Sequence, residues 1–197
     1  MIRLYHYTFK DNVESILENG LLESIHKEKN WQWLGNGIYF FDEAVNVDFV
    51  KNMLKSKGNI GDLVRIEKTL VHADIEEHMF DLRDKDDQSY IIEYFEYGIK
   101  NQFFGLSETD LILMNVIFEH LDKARPFNNK YFGISLGNFM NKFVKDCTLE
   151  IWCIVCAFAT KKSIDTHVQY CCKPDKDGIF MINPIETEEI KYLNSSG

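Results

Sequence analysis

Three kinds of side chain in this sequence are spaced so that they could do chemistry. His6 stands in the opening run Leu4-Tyr-His-Tyr-Thr8. Its ring offers one nitrogen to donate and one to accept a hydrogen bond. Tyr39 follows a pair of glycines in Gly35-Asn-Gly-Ile-Tyr-Phe40, so a flat apolar ring with a polar tip sits beside a tight backbone path. Cys153-Ile-Val-Cys156 has the spacing of half a zinc site. That pair lies inside Glu150-Ile-Trp-Cys-Ile-Val-Cys-Ala-Phe158, an apolar run that reads as a buried strand. Strand alternation turns Cys153 and Cys156 to opposite faces, and does the same to Cys171 and Cys172. The cysteine count is odd, 5, and none falls among the first 146 residues. The spacing therefore favours small buried hydrophobes over a disulfide framework or a metal site.

The elements that must position these residues follow from periodicity. A strand is expected over Ile2 to Tyr7, then a helix over Val13 to Asn19. Its apolar face is Val13, Ile16 and Leu17; Thr8 or Asp11 caps it and Gly20 ends it. Glu23 to Asn30 reads as a loop. Gly35 and Gly37 admit the chain into a strand centred on Ile38-Tyr39-Phe40. A second helix is expected over Glu43 to Lys55, with Ala44, Val47, Val50 and Leu54 facing inward. Gly58 to Asp62 is a turn, Leu63 to Val71 a strand, and Met79 to Leu82 a short strand running into a charged turn.

Residues 88–145 change character. Helical spacing dominates Tyr90 to Gln102, Glu108 to Ala124 and Leu136 to Lys145. No flexible linker bounds this block, so it is read as a helical insertion within a single domain, residues 1–197. Strands are expected over Thr148 to Phe158, His167 to Lys173 and Gly178 to Ile182. Ile185 to Leu193 then finishes the sheet or packs on it. Strands interleaved with helices, then a helical block, then more strands indicate an α+β fold with antiparallel pairing.

Bulk properties narrow the function classes. A net charge of −9 argues against a phosphate-tracking surface, while leaving room for a local basic groove. No stretch approaches the ~18 apolar residues of a membrane helix. The opening residues lack the apolar core and cleavage site of a signal peptide. A cytoplasmic protein with no membrane partner is the expectation.

Two segments together carry a resemblance. Leu4-Tyr-His-Tyr-Thr8 leads into Ile16-Leu-Glu-Asn-Gly-Leu21, and Gly35-Asn-Gly-Ile-Tyr-Phe40 leads directly into a helix. This pattern resembles the histidine–tyrosine branch of the ADP-ribosyltransferase superfamily. That branch includes the poly(ADP-ribose) polymerase catalytic domains, the diphtheria-toxin-like enzymes and bacterial DNA-modifying toxins. The segments span about the first 55 residues, and their order and spacing make the match more specific than either piece alone.

The resemblance implies an ADP-ribosyltransferase-like split antiparallel β-sheet core, with helices and a helical insertion, and NAD+ as substrate without a metal. It implies that His6 bonds a ribose hydroxyl, that the backbone at Tyr7 meets the nicotinamide carboxamide, and that Thr8 supports that turn. Tyr39 would stack on the nicotinamide ring beyond Gly37, with Trp31, Trp33 and Phe41 as candidate walls. The family's third position, most often Glu, corresponds here to Gln169, which hydrogen-bonds but carries no charge and is no base. Asp165, Glu67, Glu150 and Glu93 are alternative sources of a carboxylate. The family's helix after the tyrosine strand often carries a serine for the carboxamide; here Asn46 is the substitute.

The implied activity is mono-ADP-ribosyl transfer to a protein or nucleic-acid acceptor, in the setting of a toxin or defence effector with an antitoxin or regulatory partner. The alternatives are an NAD+ glycohydrolase or a weak or inactive module that binds NAD+ or ADP-ribose. Transfer of an RNA 2′-phosphate to NAD+ is disfavoured, because no arginine cluster is evident.

Overall fold

Rich in aromatic and β-branched residues, Ile2–Phe9 forms a strand, β1, two residues longer than expected. A computed structural model describes residues 1–25, 27, 32–43, 45–56, 61–70, 76–101, 108–118, 130–147, 150–159, 166–173 and 184–193. After β1 come α1 (Val13–Asn19), β2 (Ile38–Phe41), α2 (Val47–Ser56), β3 (Leu63–Leu70) and β4 (Met79–Asp81). Then follow α3 (Lys85–Lys100), α4 (Glu108–Phe118), α5 (Lys130–Asp146), β5 (Cys153–Ala159), β6 (Thr166–Cys172) and β7 (Ile190–Tyr192). Among the described residues this is an α+β protein with one mixed, mostly antiparallel sheet of 7 strands, ordered β4-β5-β6-β2-β1-β3-β7.

Among the described residues β4 runs parallel to β5, which corrects the expectation of antiparallel pairing throughout. Parallel neighbours need a long crossover, usually helical. The block α3–α5 lies between these two strands in the chain, so it is the crossover as well as an insertion. The helix α3 begins earlier than its apolar spacing shows. The Asp84 side chain accepts the main-chain N–H groups of Asp86 and Asp87 and starts the helix there.

The sheet's two faces are covered differently. On one face Leu4, Phe40, Ile66, Val155 and Tyr170 pack with Val13 of α1. The other face holds two separate clusters. Over β4, β5 and β6, residues Ile154, Cys156 and Cys171 meet Phe139, Met140 and Phe143 of α5. Over β1 and β3, residues Tyr5, Tyr7 and Leu63 meet Val50 of α2. Each such fully buried apolar side chain contributes roughly 1.5–3 kcal/mol, so both helical layers are firmly held. Cys153 and Cys156 fall in opposite clusters, as do Cys172 and Cys171, in keeping with strand alternation. None of the five cysteines is in a disulfide.

Several local expectations need correcting. Leu17 is exposed on α1, because this two-turn helix rests on a narrow stripe from Val13 to Ile16. The second helix starts at Val47, not Glu43, and Val47 itself is exposed; Val50 and Leu54 face inward as expected, joined there by Phe49 and Met53. The strand after α5 begins at Cys153. The expected strand Gly178 to Ile182 and the residues Trp31, Ala44 and Asp165 lie outside the described residues. The closing segment does finish the sheet: β7 pairs antiparallel with β3.

Candidate active site

The seam between β1 and β2 is where His6, Tyr7 and Tyr39 come near one another. β1 pairs with β3 along its whole length, from Ile2↔Leu70 to Phe9↔Leu63, whereas its register with β2 is the pair Tyr5↔Phe41. The sheet thus divides into halves, β4-β5-β6-β2 and β1-β3-β7, that meet at this pair.

Peptide directions along β2 follow from its neighbours. The N–H of Asp42 donates to Val168 O on the β6 side, while the Ser24 N–H donates to Gly37 O at 2.9 Å and the Gly37 N–H to Ser24 O at 3.1 Å. Peptide groups alternate sides along a strand. Those of Tyr39 and Phe41 therefore face β1, and those of Tyr5 and Tyr7 face β2.

His6 bridges the seam. Its Nδ1 lies 2.9 Å from the main-chain oxygen of Tyr39. A carbonyl oxygen only accepts, so the proton sits on Nδ1 and the lone pair on Nε2. Burial lowers the His6 pKa, with the Tyr39 carbonyl opposing that shift in part, so the ring is neutral at neutral pH. Phe40 meets it edge-on, with centroids 5.7 Å apart.

Tyr39 is half-buried, and its hydroxyl is committed to the loop before it. It donates to Gly35 O at 2.7 Å and accepts the Leu34 N–H at 3.0 Å. Burial holds its pKa well above the ordinary value, so it remains a neutral phenol. The strand register places Tyr39 opposite Cys171, and Gln169 opposite Phe41. Tyr39 and Gln169 therefore share one face of the sheet. The side chain of His6 alternates with Tyr5 and Tyr7 and leaves β1 on the opposite, Leu4 side. The three candidate catalytic residues do not converge by side chain; His6 reaches Tyr39 through its backbone.

The remaining candidates take local roles. Thr8 is buried, and its Oγ1 accepts from Asn12 Nδ2 at 3.0 Å, tying the end of β1 to the turn before α1. Gly37 sits where a Cβ would press on Cys171 Sγ and lie 2.8 Å from the Cys172 carbonyl. Asn46 Oδ1 accepts the Phe49 N–H at 3.1 Å and caps α2. Phe41 packs under α2, and Trp33 packs against the α3–α5 cluster. Of the alternative carboxylates, Glu67 is paired with Arg65, whose guanidinium lies 4.8 Å over the Tyr5 ring. Glu93 and Glu150 are exposed, on α3 and before β5.

Sequence reasoning missed Lys173, Cys171 and Asn141. Lys173 Nζ donates to Leu34 O at 3.2 Å and also to Asn36 O. The Cys171 thiol lies 3.4 Å from Asn36 O. Asn141 Oδ1 accepts the Asn36 N–H at 2.6 Å. No local pattern marks these contacts, which join positions more than a hundred residues apart. Only the repeated Gly35 and Gly37 hinted that something approaches the backbone there.

The His6 ring lies on the Leu4 and Phe40 face and the Tyr39 ring on the opposite face, so the two meet only at the seam between β1 and β2, through the Tyr39 carbonyl. Among the described residues, no three His, Cys, Asp or Glu side chains group to hold a metal, and no helix is long and apolar enough to cross a membrane. Comparisons with protein-family models, with curated proteins and with solved structures found no match to this chain.

Proposed function

We propose that this chain is an NAD+-dependent mono-ADP-ribosyltransferase whose nucleotide lies along the seam between β1 and β2. The observation that carries the reading is the His6 Nδ1 bond to the Tyr39 carbonyl. It fixes a neutral imidazole with Nε2 as acceptor, the form needed to take a hydrogen bond from a ribose hydroxyl. The Tyr7 peptide, directed to the same seam, suits the nicotinamide carboxamide; the Tyr39 ring lies on the face opposite His6, so a nucleotide that meets both crosses the sheet at the seam and sets its flat pyridinium face on that ring. On this reading the halves that meet at Tyr5 and Phe41 form the split sheet of the ADP-ribosyltransferase fold.

The reaction breaks the bond between ribose C1′ and the nicotinamide nitrogen. The electron pair leaves with nicotinamide, which departs neutral. An acceptor nucleophile on a protein or nucleic acid forms the new bond to C1′ and gives up its proton. The contribution of this chain is orientation, by clamping ribose and carboxamide so that C1′ is presented to the acceptor. Gln169 supplies no base, which favours a single transfer over chain elongation. The same residue favours a second reading: NAD+ hydrolysis, or binding of NAD+ or ADP-ribose without turnover. A cytoplasmic toxin or defence effector, held by an antitoxin or regulatory partner, is the setting that fits such an enzyme by analogy.

The test is incubation of the purified protein with NAD+ and measurement of free nicotinamide, beside Tyr39→Ala. Release that the variant abolishes supports the transferase reading. Bound NAD+ without release supports the binding module. Neither release nor binding rejects both.

A further inference from the structure

We propose that Asn141, on α5 of the helical insertion, is a positioning residue that holds Tyr39 through the Leu34–Gly37 loop. The clamp is a matter of geometry; its kinetic consequence rests on the NAD+ reading above.

The contact is a two-point amide pairing between residues 105 positions apart. The Asn36 main-chain N–H donates to Asn141 Oδ1 at 2.6 Å, and Asn141 Nδ2 donates to Asn36 Oδ1 at 3.2 Å. A backbone N–H can only donate, so it decides which end of the Asn141 amide faces it, and the second bond follows. Gly35 makes the approach possible. Its φ is +79°, in the left-handed region, and a Cβ there would fall on the Asn141 carboxamide. The loop so held is the one that grips Tyr39, with Leu34 N–H donating to the phenol oxygen and the phenol donating to Gly35 O. Three consecutive residues thus link α5 to the aromatic ring.

The helix itself has little freedom. Leu136, Phe139, Met140 and Phe143 are buried on the sheet, so Asn141 reports the position of a rigid body. From the strand side, Lys173 and Cys171 hold the Leu34 and Asn36 carbonyls independently. Removing the Asn141 amide should therefore loosen the loop without unfolding the protein. A bland alternative is that Asn141 only packs a loop on a helix. That role predicts lost stability, with no selective change in turnover or in local exchange.

The experiment compares Asn141→Leu and Asn141→Asp in the full chain. It uses NAD+ kinetics followed by nicotinamide release, and amide hydrogen exchange over residues 32–37. Asn141→Leu should lower kcat about tenfold or more while KM changes about twofold or less, because a misplaced aromatic impairs orientation more than affinity. Asn141→Asp keeps an acceptor for the Asn36 N–H and should restore kcat to within about threefold of the parent. Exchange at Leu34 and Asn36 should accelerate in the leucine variant alone, with melting little changed. Parent-like kcat and exchange in Asn141→Leu would overturn the proposal, as would equal damage from both variants. If the parent protein releases no nicotinamide, the NAD+ reading fails, and exchange alone decides the clamp. Faster exchange in Asn141→Leu than in Asn141→Asp then supports it, and equal exchange overturns it.

Discussion

The imidazole of His6 donates through Nδ1 to the main-chain oxygen of Tyr39, 2.9 Å away, across the seam where the two halves of the sheet meet. A side chain here takes the carbonyl that a continuous ladder would give to a neighbouring backbone N–H. The bond sets the imidazole tautomer and holds β2 beside β1 beyond their registered pair.

The first prediction concerns this histidine and pH. Its folded pKa is lowered from the ordinary 6.5, chiefly by burial. In the window between the two values the unfolded chain binds the extra proton. Stability from the neutral ring is therefore fully present above the unfolded value and is lost as pH falls through the folded one. Thermal melts at about pH 7.5 and about pH 5.5 should show a larger fall for the parent than for His6→Asn, which keeps a donor that does not titrate. Equal falls would remove His6 as the cause.

Gln169 shares the Tyr39 face, where the resemblance expects a carboxylate. Gln169→Glu should raise nicotinamide release about tenfold, with KM for NAD+ changed much less, since the charge acts on the developing oxocarbenium ion. An unchanged rate would show that position 169 does not face the reacting ribose.

Gly37→Ala places a methyl group 2.8 Å from the Cys172 carbonyl and against the Cys171 thiol. Neither backbone nor buried thiol can yield easily, so the substitution should cost about 1–3 kcal/mol in urea unfolding. A cost near zero would mean that β6 moves aside.

Asp84 caps α3 by accepting from the N–H groups of Asp86 and Asp87. Asp84→Ala should lose about 1 kcal/mol of stability and Asp84→Ser considerably less, measured by urea unfolding. Equal losses in the two variants would assign the effect to something other than capping.

Much of the fold was legible locally. Val13–Asn19 and its glycine stop follow from helical spacing and a left-handed Gly20 at φ 76°. Apolar spacing does not mark the starts of α3 and α2, which are set by side-chain caps, Asp84 on the Asp86 and Asp87 N–H groups and Asn46 on the Phe49 N–H. In both cases a side chain ends the loop, and apolar periodicity does not register it.

By itself the sequence determined which residues alternate and which face each strand residue takes, so Cys153 and Cys156 had to part, as did Tyr39 and Phe40. These properties depend on the period of a strand, which a few neighbouring residues define. Only the tertiary structure decided that β4 lies parallel to β5, that His6 meets the Tyr39 backbone, and that Asn141 reaches Asn36 through the space Gly35 leaves. Those contacts join distant parts of the chain. Which distant edges and loops meet is settled by packing the two helical layers on one sheet, a competition that no single segment encodes.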